Sequence, residues 1–204
     1  MEVRPLSPDE WQLKRELRLA ALKDSPDAFA STYARESHRS ETDWRTWPPG
    51  GAFFTAFSDA TAPGLGDASA PGFGFGSAPG LGAGSAPGLG AGSAPGLGAG
   101  SASGFAPASG EPLGIAGTWV AAAEPRTTHL ISMWVAPVAR GRGVAALLID
   151  AVVGWARDHG HDTVELEVAR GNTPAMSAYL RCGFIATDRE PFTTGGTVLV
   201  RPVK

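Results

Sequence analysis

The stretch Trp134-Val135-Ala136-Pro137-Val138-Ala139-Arg140-Gly141-Arg142-Gly143-Val144-Ala145 organises the reading of the whole chain. Before it, His129 to Val135 (HLISMWV) predicts a buried strand. After it, Gly143 to His159 predicts a helix. Val144, Leu147, Leu148, Ala151, Val152 and Trp155 share one face, and Gly160 ends it. Between the two lies a turn with two glycines. The N–H groups at a helix start have no intrahelical partner, and the helix dipole favours an anion there. Glycines allow close approach of the backbone, and Arg140 and Arg142 add positive charge. Such a turn suits a pyrophosphate. It is not a Walker A loop, because no Lys-Ser/Thr follows, and it is not Gly-x-Gly-x-x-Gly. On glycine spacing alone, a tight turn that binds nothing is an equal reading.

A second signal follows in Asn172-Thr173-Pro174-Ala175-Met176-Ser177-Ala178-Tyr179-Leu180-Arg181-Cys182-Gly183-Phe184. It predicts a helix from Thr173 to about Cys182. Ala175 and Tyr179, four apart, share one face. The alanine lets a ligand pass close to the helix, and the tyrosine places a hydroxyl beside it. A phenol has a pKa suited to donating a proton to a leaving thiolate. A packed aromatic is the plain alternative. Between the two signals, Thr163 to Ala169 (TVELEVA) alternates as a strand. Val164, Leu166 and Val168 lie on one face, Glu165 and Glu167 on the other.

Together these segments resemble the GNAT N-acetyltransferase superfamily. Arg140-x-x-Gly143-x-Ala145 is similar to its pyrophosphate loop. Asn172, Ala175, Tyr179, Gly183 and Phe184 are similar to its second cofactor-binding segment. The likeness is close from Leu113 to Phe184 and looser towards the N-terminus. It implies a mixed α/β fold, with a mixed central sheet flanked by helices, and acetyl-CoA as co-substrate with no metal. Backbone groups of Met133, Trp134 and Val135 would pair with the pantetheine arm where the sheet splays between the fourth and fifth strands. The amides of Arg140, Gly141, Arg142, Gly143, Val144 and Ala145 would hold the pyrophosphate. Asn172 would bond near the pantetheine, and Ala175 would line its path. Tyr179 would protonate the departing thiolate. An amine would attack the thioester directly, through a tetrahedral intermediate, and the Val135 N–H would stabilise its oxyanion. One such donor is typically worth about 3 kcal/mol.

The chain departs from that pattern in one place. Many members carry a glutamate on the strand before the pyrophosphate loop, which deprotonates the amine through water. Here the strand reads His129-Leu130-Ile131-Ser132-Met133-Trp134, with no carboxylate. Glu167 and Glu165 on the next strand and His129 at the strand start are the nearby titratable groups. Glu167 is the candidate base. A solvated strand face for both glutamates, with water taking the proton, is the alternative reading.

The N-terminal half is less specific. Glu2 to Leu6 predicts a strand. Ser7-Pro8-Asp9-Glu10 starts a helix reaching about Lys23, with Leu13, Leu17 and Ala21 at helical spacing. Ser40 opens a short helix to about Trp47. Gly51 to Phe57 and Leu113 to Ala122 predict two strands, and Phe184 to Thr187 and Thr197 to Val200 the last two. Trp44, Trp47, Phe53, Phe54 and Trp119 fall in the half that would line the acceptor site, most of them as core. Cys182 reads as a helix-packing residue, and the four histidines show no metal spacing.

Residues 61–107 stand apart. They hold 15 of the 28 glycines and one charged residue, Asp67. Pro63, Pro71, Pro79, Pro87 and Pro95 recur every eight residues, in the unit Ser-Ala-Pro-Gly-Leu-Gly-Ala-Gly. Gly and Pro oppose both helix and ladder, and one large apolar side chain per unit cannot offset ordering entropy. The segment predicts a disordered insert joining two strands of a hairpin, within a single N-acetyltransferase domain spanning residues 1–204. Repeat expansion at a tolerant loop is the simpler account of it, and a flexible tether the functional one.

The 204 residues carry 17 Lys+Arg against 20 Asp+Glu, a net charge of −3. That argues against nucleic acid as a partner. A single cysteine excludes an internal disulfide, and a reducing, cytoplasmic setting is expected. No apolar run predicts a signal peptide or a membrane span. Three functions fit. The first is acetyl transfer to a small-molecule primary amine. The second is acetylation of a protein lysine or N-terminus. The third is a non-catalytic acyl-CoA-binding or sensor module. The intact loop and Tyr179 favour catalysis, and the small size favours a small-molecule acceptor. The family also allows a homodimer. Replacing residues 61–107 by a short turn is expected to leave stability within about 1 kcal/mol, because loop closure costs little and the segment supplies no core. A large fall in Tm would show that it packs.

Overall fold

The computed structural model describes residues 1–59, 110–193 and 195–203; the repeat insert expected over 61–107 lies outside the described residues. The elements run β1 (Glu2–Pro5), α1 (Trp11–Asp24), α2 (Tyr33–Ser37), α3 (Glu41–Thr46), β2 (Phe53–Phe57), β3 (Pro112–Trp119), β4 (Thr127–Val135), α4 (Val144–Asp158), β5 (Thr163–Val168), α5 (Thr173–Arg181), β6 (Ile185–Ala186) and β7 (Thr197–Pro202). The seven strands form one sheet in the order β1-β2-β3-β4-β5-β7-β6. All neighbours are antiparallel except β4 and β5. That parallel pair needs a crossover, which α4 supplies. The expected mixed sheet with flanking helices is present.

Every strand and long helix of the sequence reading is found, with ends moved by a few residues. The added element is α2. Its five residues, Tyr33-Ala34-Arg35-Glu36-Ser37, are too few to show a helical period. A local cap starts it: the Thr32 hydroxyl accepts from the Arg35 N–H at 3.2 Å. The hairpin expected around the insert is also present. β2 pairs with β3, and beyond their ends the Ser58 N–H donates to the Glu111 carbonyl at 2.9 Å.

Two cores cover the two faces of the sheet. On one face, Val144, Leu148, Ile149 and Val152 of α4 pack on Leu113, Leu130, Val164 and Leu166, joined by Tyr179 and Phe184. On the other, Leu19 and Leu22 of α1 pack with Trp44 of α3, flanked by Trp11, Phe29 and Trp47. Trp44, Phe53 and Phe54 are buried, as their core assignment expects.

The apolar stripe expected on α1 is only part of what that helix buries. Lys14 and Arg18 are also buried. The Lys14 ammonium donates to the carbonyls of Trp44 and Trp47 at 2.9 and 2.7 Å, which ties α1 to the end of α3. Arg18 makes a two-pronged pair with Glu36 at 3.0 and 2.8 Å, with side-chain exposures of 5% and 1%. Burial alone would raise the Glu36 carboxyl. The Arg18 hydrogen bonds outweigh it and hold the pKa below the ordinary glutamate value. Glu36→Ala leaves Arg18 buried without its partner and is expected to cost about 3 kcal/mol of unfolding free energy, read from denaturant titration. In the wild type this contribution is full above the unfolded glutamate pKa of about 4.3 and is lost as pH falls through the lower folded value. The variant should therefore show a flatter acid limb of stability.

Candidate active site

The site is built around a place where the sheet comes apart. β4 and β5 pair only at Thr127–Thr163, Thr128–Val164 and His129–Glu165. Beyond His129, β5 keeps its partner β7 on the other side, but its edge towards β4 is released. The cause is visible on the opposite edge of β4. The register with β3 passes from Gly117–Ile131 to Ile115–Trp134, so Ser132 and Met133 together oppose Ala116. This is a β-bulge, and Ser132 sits at φ +59°. A bulge bends its strand and re-aims its peptide groups. A positive φ at a non-glycine residue costs about 1–3 kcal/mol and persists only where the surroundings impose it. Met133, Trp134 and Val135, the expected pantetheine-pairing residues, lie on this unpaired length of β4.

The chain then makes a short 3-10 turn, Pro137–Ala139, and reaches the loop before α4. The Arg140 N–H is used there, donating to the Pro137 carbonyl at 3.3 Å. The first intrahelical donor is the Ala146 N–H, to the Gly143 carbonyl. The amides of Gly141, Arg142, Gly143, Val144 and Ala145 have no acceptor among the described residues. Gly141 and Gly143 have φ of +76° and +82°, and a Cβ on either would meet nothing within 4 Å. Glycine is therefore required by backbone conformation, and the space in front of the amides is open. That is a fit for a bound pyrophosphate, with Arg140 removed from the set of donating amides.

The two arginines of the loop differ. Arg142 is exposed. The Arg140 guanidinium donates to the Val135 carbonyl at 3.1 Å and forms an ion pair with Asp24 at the end of α1. Asp24 also accepts from the Trp134 indole N–H at 2.9 Å. Burial would raise the Asp24 carboxyl, but hydrogen bonds from Trp134, Ser25 and Arg140 hold it below the ordinary aspartate value. Arg140 thus fastens the helices of one face to the loop serving the other. Read from sequence, the guanidinium is only an added charge beside the loop, because a contact between α1 and the loop is not a local feature.

α5 begins just beyond β5. Asn172 caps it, its side-chain oxygen accepting from the Ala175 N–H at 3.2 Å, which leaves the amide NH2 free to donate to a ligand. Ala175 is half-buried against the core. Tyr179 is buried, its ring meeting Phe184 edge-on at 5.7 Å between centroids. Burial, reinforced by Cys182, raises its phenol pKa well above the ordinary value, so the hydroxyl stays protonated at neutral pH. Cys182 is half-buried against the same core, and burial raises its thiol.

On the other face of β5 the two glutamates have separate tasks. Glu167, the candidate base from sequence, accepts from the N–H groups of Phe192 and Thr193 at 2.7 and 3.0 Å and from the Thr193 hydroxyl. Its oxygens hold the loop before β7. Glu165 is buried, paired with Arg189 through Oε2. Its Oε1 lies 3.7 Å from Nδ1 of His129. Glu124, in the turn before β4, lies 3.8 Å from Nε2 of the same ring. Trp119 covers that ring, with centroids 4.9 Å apart. A cavity of about 110 Å³ opens here, lined by Trp119, His129, Ile131, Glu165, Glu167 and Phe192 among others. Donor atoms of Glu124, His129 and Glu165 lie within 4.8 Å of one another. The two carboxylates approach different ring nitrogens, and Glu165 already has Arg189, so the set suits a protonatable imidazole better than a cation. A search for histidine spacings could not find it, since it joins three separate segments.

Residues 97–184 match the model of the Acetyltransferase (GNAT) family. Streptothricin acetyltransferase of Streptomyces lavendulae is 36% identical over 77 residues, covering 38% of this chain and 40% of that protein. The match thus spans less than half of this curated relative's length. Among solved structures, yncA from Salmonella typhimurium, with its cofactor acetyl-CoA, has a TM-score of 0.61 at 12% identity, covering 100% of this chain and 94% of that one. The GNAT domain of S. lividans PAT has a TM-score of 0.58 at 15% identity, covering 98% and 89%. Residues 97–184 are thus similar to the GNAT family, and the chain as a whole has the fold of these acetyltransferases.

Proposed function

We propose that the protein transfers the acetyl group of acetyl-CoA directly to a primary amine of a small molecule. The observation that carries this reading is the row of unpartnered amides from Gly141 to Ala145, opening beside the unpaired length of β4. A diphosphate suits the amides, and an extended amide-bearing arm suits the strand edge. Acetyl-CoA supplies an activated thioester to that cleft. The chain's own groups do the rest. Gly141 to Ala145 anchor the diphosphate against the positive end of α4. Met133, Trp134 and Val135 orient the arm, and Asn172 donates to it. Tyr179, kept protonated by burial, gives its proton to the departing sulfur. The acceptor enters from the opposite face, where Trp119 and Phe192 with Glu124 and Glu165 form a small aromatic and acidic recess. Such a recess favours a compact cationic amine. The name of the Streptomyces lavendulae relative points the same way. Among the described residues no helix is long and apolar enough to cross a membrane, and the unpaired Cys182 is in keeping with a cytoplasmic setting.

Titration calorimetry with acetyl-CoA tests the reading without knowledge of the acceptor. The wild type is expected to bind at micromolar concentration. Gly143→Glu should lose that binding by tenfold or more, because its carboxylate would occupy the amides that the diphosphate needs and its backbone would be strained at φ +82°. Absence of wild-type binding would overturn the proposal. Tyr179→Phe keeps the packed ring and removes only the hydroxyl. It should lower kcat about 10²-fold while leaving the acetyl-CoA Kd unchanged. Full turnover in that variant would remove Tyr179 from the mechanism.

A further inference from the structure

We propose that His129 is the general base for the incoming amine, positioned by Glu165; this rests on the acetyltransferase reading above. Three independent features lead to it. His129 and Glu165 form the last parallel pair before β4 and β5 part, so the imidazole stands at the vertex of the opening. His129 is 7% exposed and its Nε2 is buried without a hydrogen-bond partner. A buried polar atom left unpaired in a native fold calls for a function or a ligand. The ring also lines the cavity on the acceptor face.

The surroundings divide the ring's two nitrogens. Glu165 faces Nδ1 at 3.7 Å, a charge contact rather than a hydrogen bond. Of the two carboxylates that face the ring it is the buried one, so its pull sets the proton on Nδ1 and leaves the lone pair on Nε2. Arg189 holds the other Glu165 oxygen and keeps that carboxylate in place. Glu124 lies 3.8 Å from Nε2, at the half-exposed rim of the site. Trp119 covers one face of the ring. The charged groups around His129 are thus Glu124 from the turn before β4, Glu165 from β5 and, through Glu165, Arg189 from the segment after β6. Glu167 lines the same cavity but is occupied by Phe192 and Thr193. Two carboxylates thus face one imidazole.

The step balances. The acceptor arrives as an ammonium, and one N–H bond breaks as its proton passes, directly or through one water, to Nε2. The freed lone pair forms the N–C bond to the thioester carbon, and the C–S bond breaks as the resulting tetrahedral intermediate collapses. The sulfur takes a proton from Tyr179, and the second proton leaving nitrogen replaces it. The imidazolium releases its proton to solvent. The net products are an amide, a thiol and one proton.

The test has three arms on the full chain. First, kcat/KM is measured against pH for wild type, His129→Gln and Glu165→Gln, with streptothricin and spermidine as probe acceptors. The wild type should show a one-proton acidic limb. His129→Gln should lose that limb and fall about 10²-fold. Its acetyl-CoA Kd should stay unchanged, which also shows that it folds. Second, the His129 ring signal in 15N NMR, assigned by its absence in His129→Gln, needs no acceptor. It should titrate as a single proton, and Glu165→Gln should shift its midpoint down. Third, zinc is titrated into wild type and both variants, and no saturable binding dependent on His129 is expected. Unchanged rates and pH profile in His129→Gln, no titration between about pH 5 and 9, or zinc binding lost with His129 and Glu165 would each overturn the proposal. If acetyl-CoA binds the wild type and one of these results appears, the base assignment alone fails. If acetyl-CoA does not bind, the acetyltransferase reading fails and takes the base with it.

Discussion

Parallel pairing between β4 and β5 stops after three residue pairs, and both sides of the site depend on that stop. A strand edge inside a sheet normally has its peptide groups satisfied by a neighbour, and leaving them unpaired costs free energy. Here the bulge at Ser132-Met133 bends β4 away from β5. The strands on either side hold the parting open. β3 remains paired with β4 as far as Val135, and β7 runs the full length of β5. The unpaired edge is thus a rigid feature flanked by ladders. It offers ladder-like partners to an extended ligand without needing the sheet to open first.

The N-terminus of α4 shows the same logic at a helix end. Thr32, Ser40 and Asn172 cap α2, α3 and α5 with a side-chain oxygen. α4 has Gly143 at that position, with no side chain to offer. A Ser, Thr, Asn or Asp there would satisfy one orphan donor. It would also place a side chain in front of the free amides, and Ser or Thr there would not adopt φ +82° readily. The uncapped end is tolerable because α4 is anchored elsewhere, by Val144, Leu148, Ile149 and Val152 in the main core. Stability from packing frees the helix end for a ligand.

Polar contacts then join the two faces. α1 would be held by a modest apolar seam alone, yet it carries Lys14, Arg18 and Asp24 in contacts to α3, α2 and the loop before α4. The first two are buried and fix where α1 lies. The third reaches Trp134 on β4 and Arg140 beyond the end of that strand. The helices packed on one face of the sheet and the loop before α4 therefore share one set of charges.

This explains which parts were readable in sequence. The loop, α4, β5 and α5 are local signals, written by glycine position, helical period and strand alternation, so the order of these elements could be laid out from residues alone. The bulge left no comparable mark, since Ser132 is neither glycine nor asparagine. Alternation correctly put Glu165 and Glu167 on one face of β5, and suggested solvent there. What covers them comes from Arg189, Phe192 and Thr193, in a segment with no period at all. Their different roles follow from which oxygens that segment takes. Glu167 spends both on it, whereas Glu165 keeps one for the imidazole across the strand gap. Which strand register sets His129 beside Glu165 rather than Glu167 is decided by the parallel pairing, a non-local property that α4's length and packing impose. A one-residue slip in that pairing would turn the acidic face of β5 away from His129 and leave its nitrogen buried with nothing to balance a proton. The chemistry of the acceptor side is therefore a consequence of register, and register is where a single sequence says least.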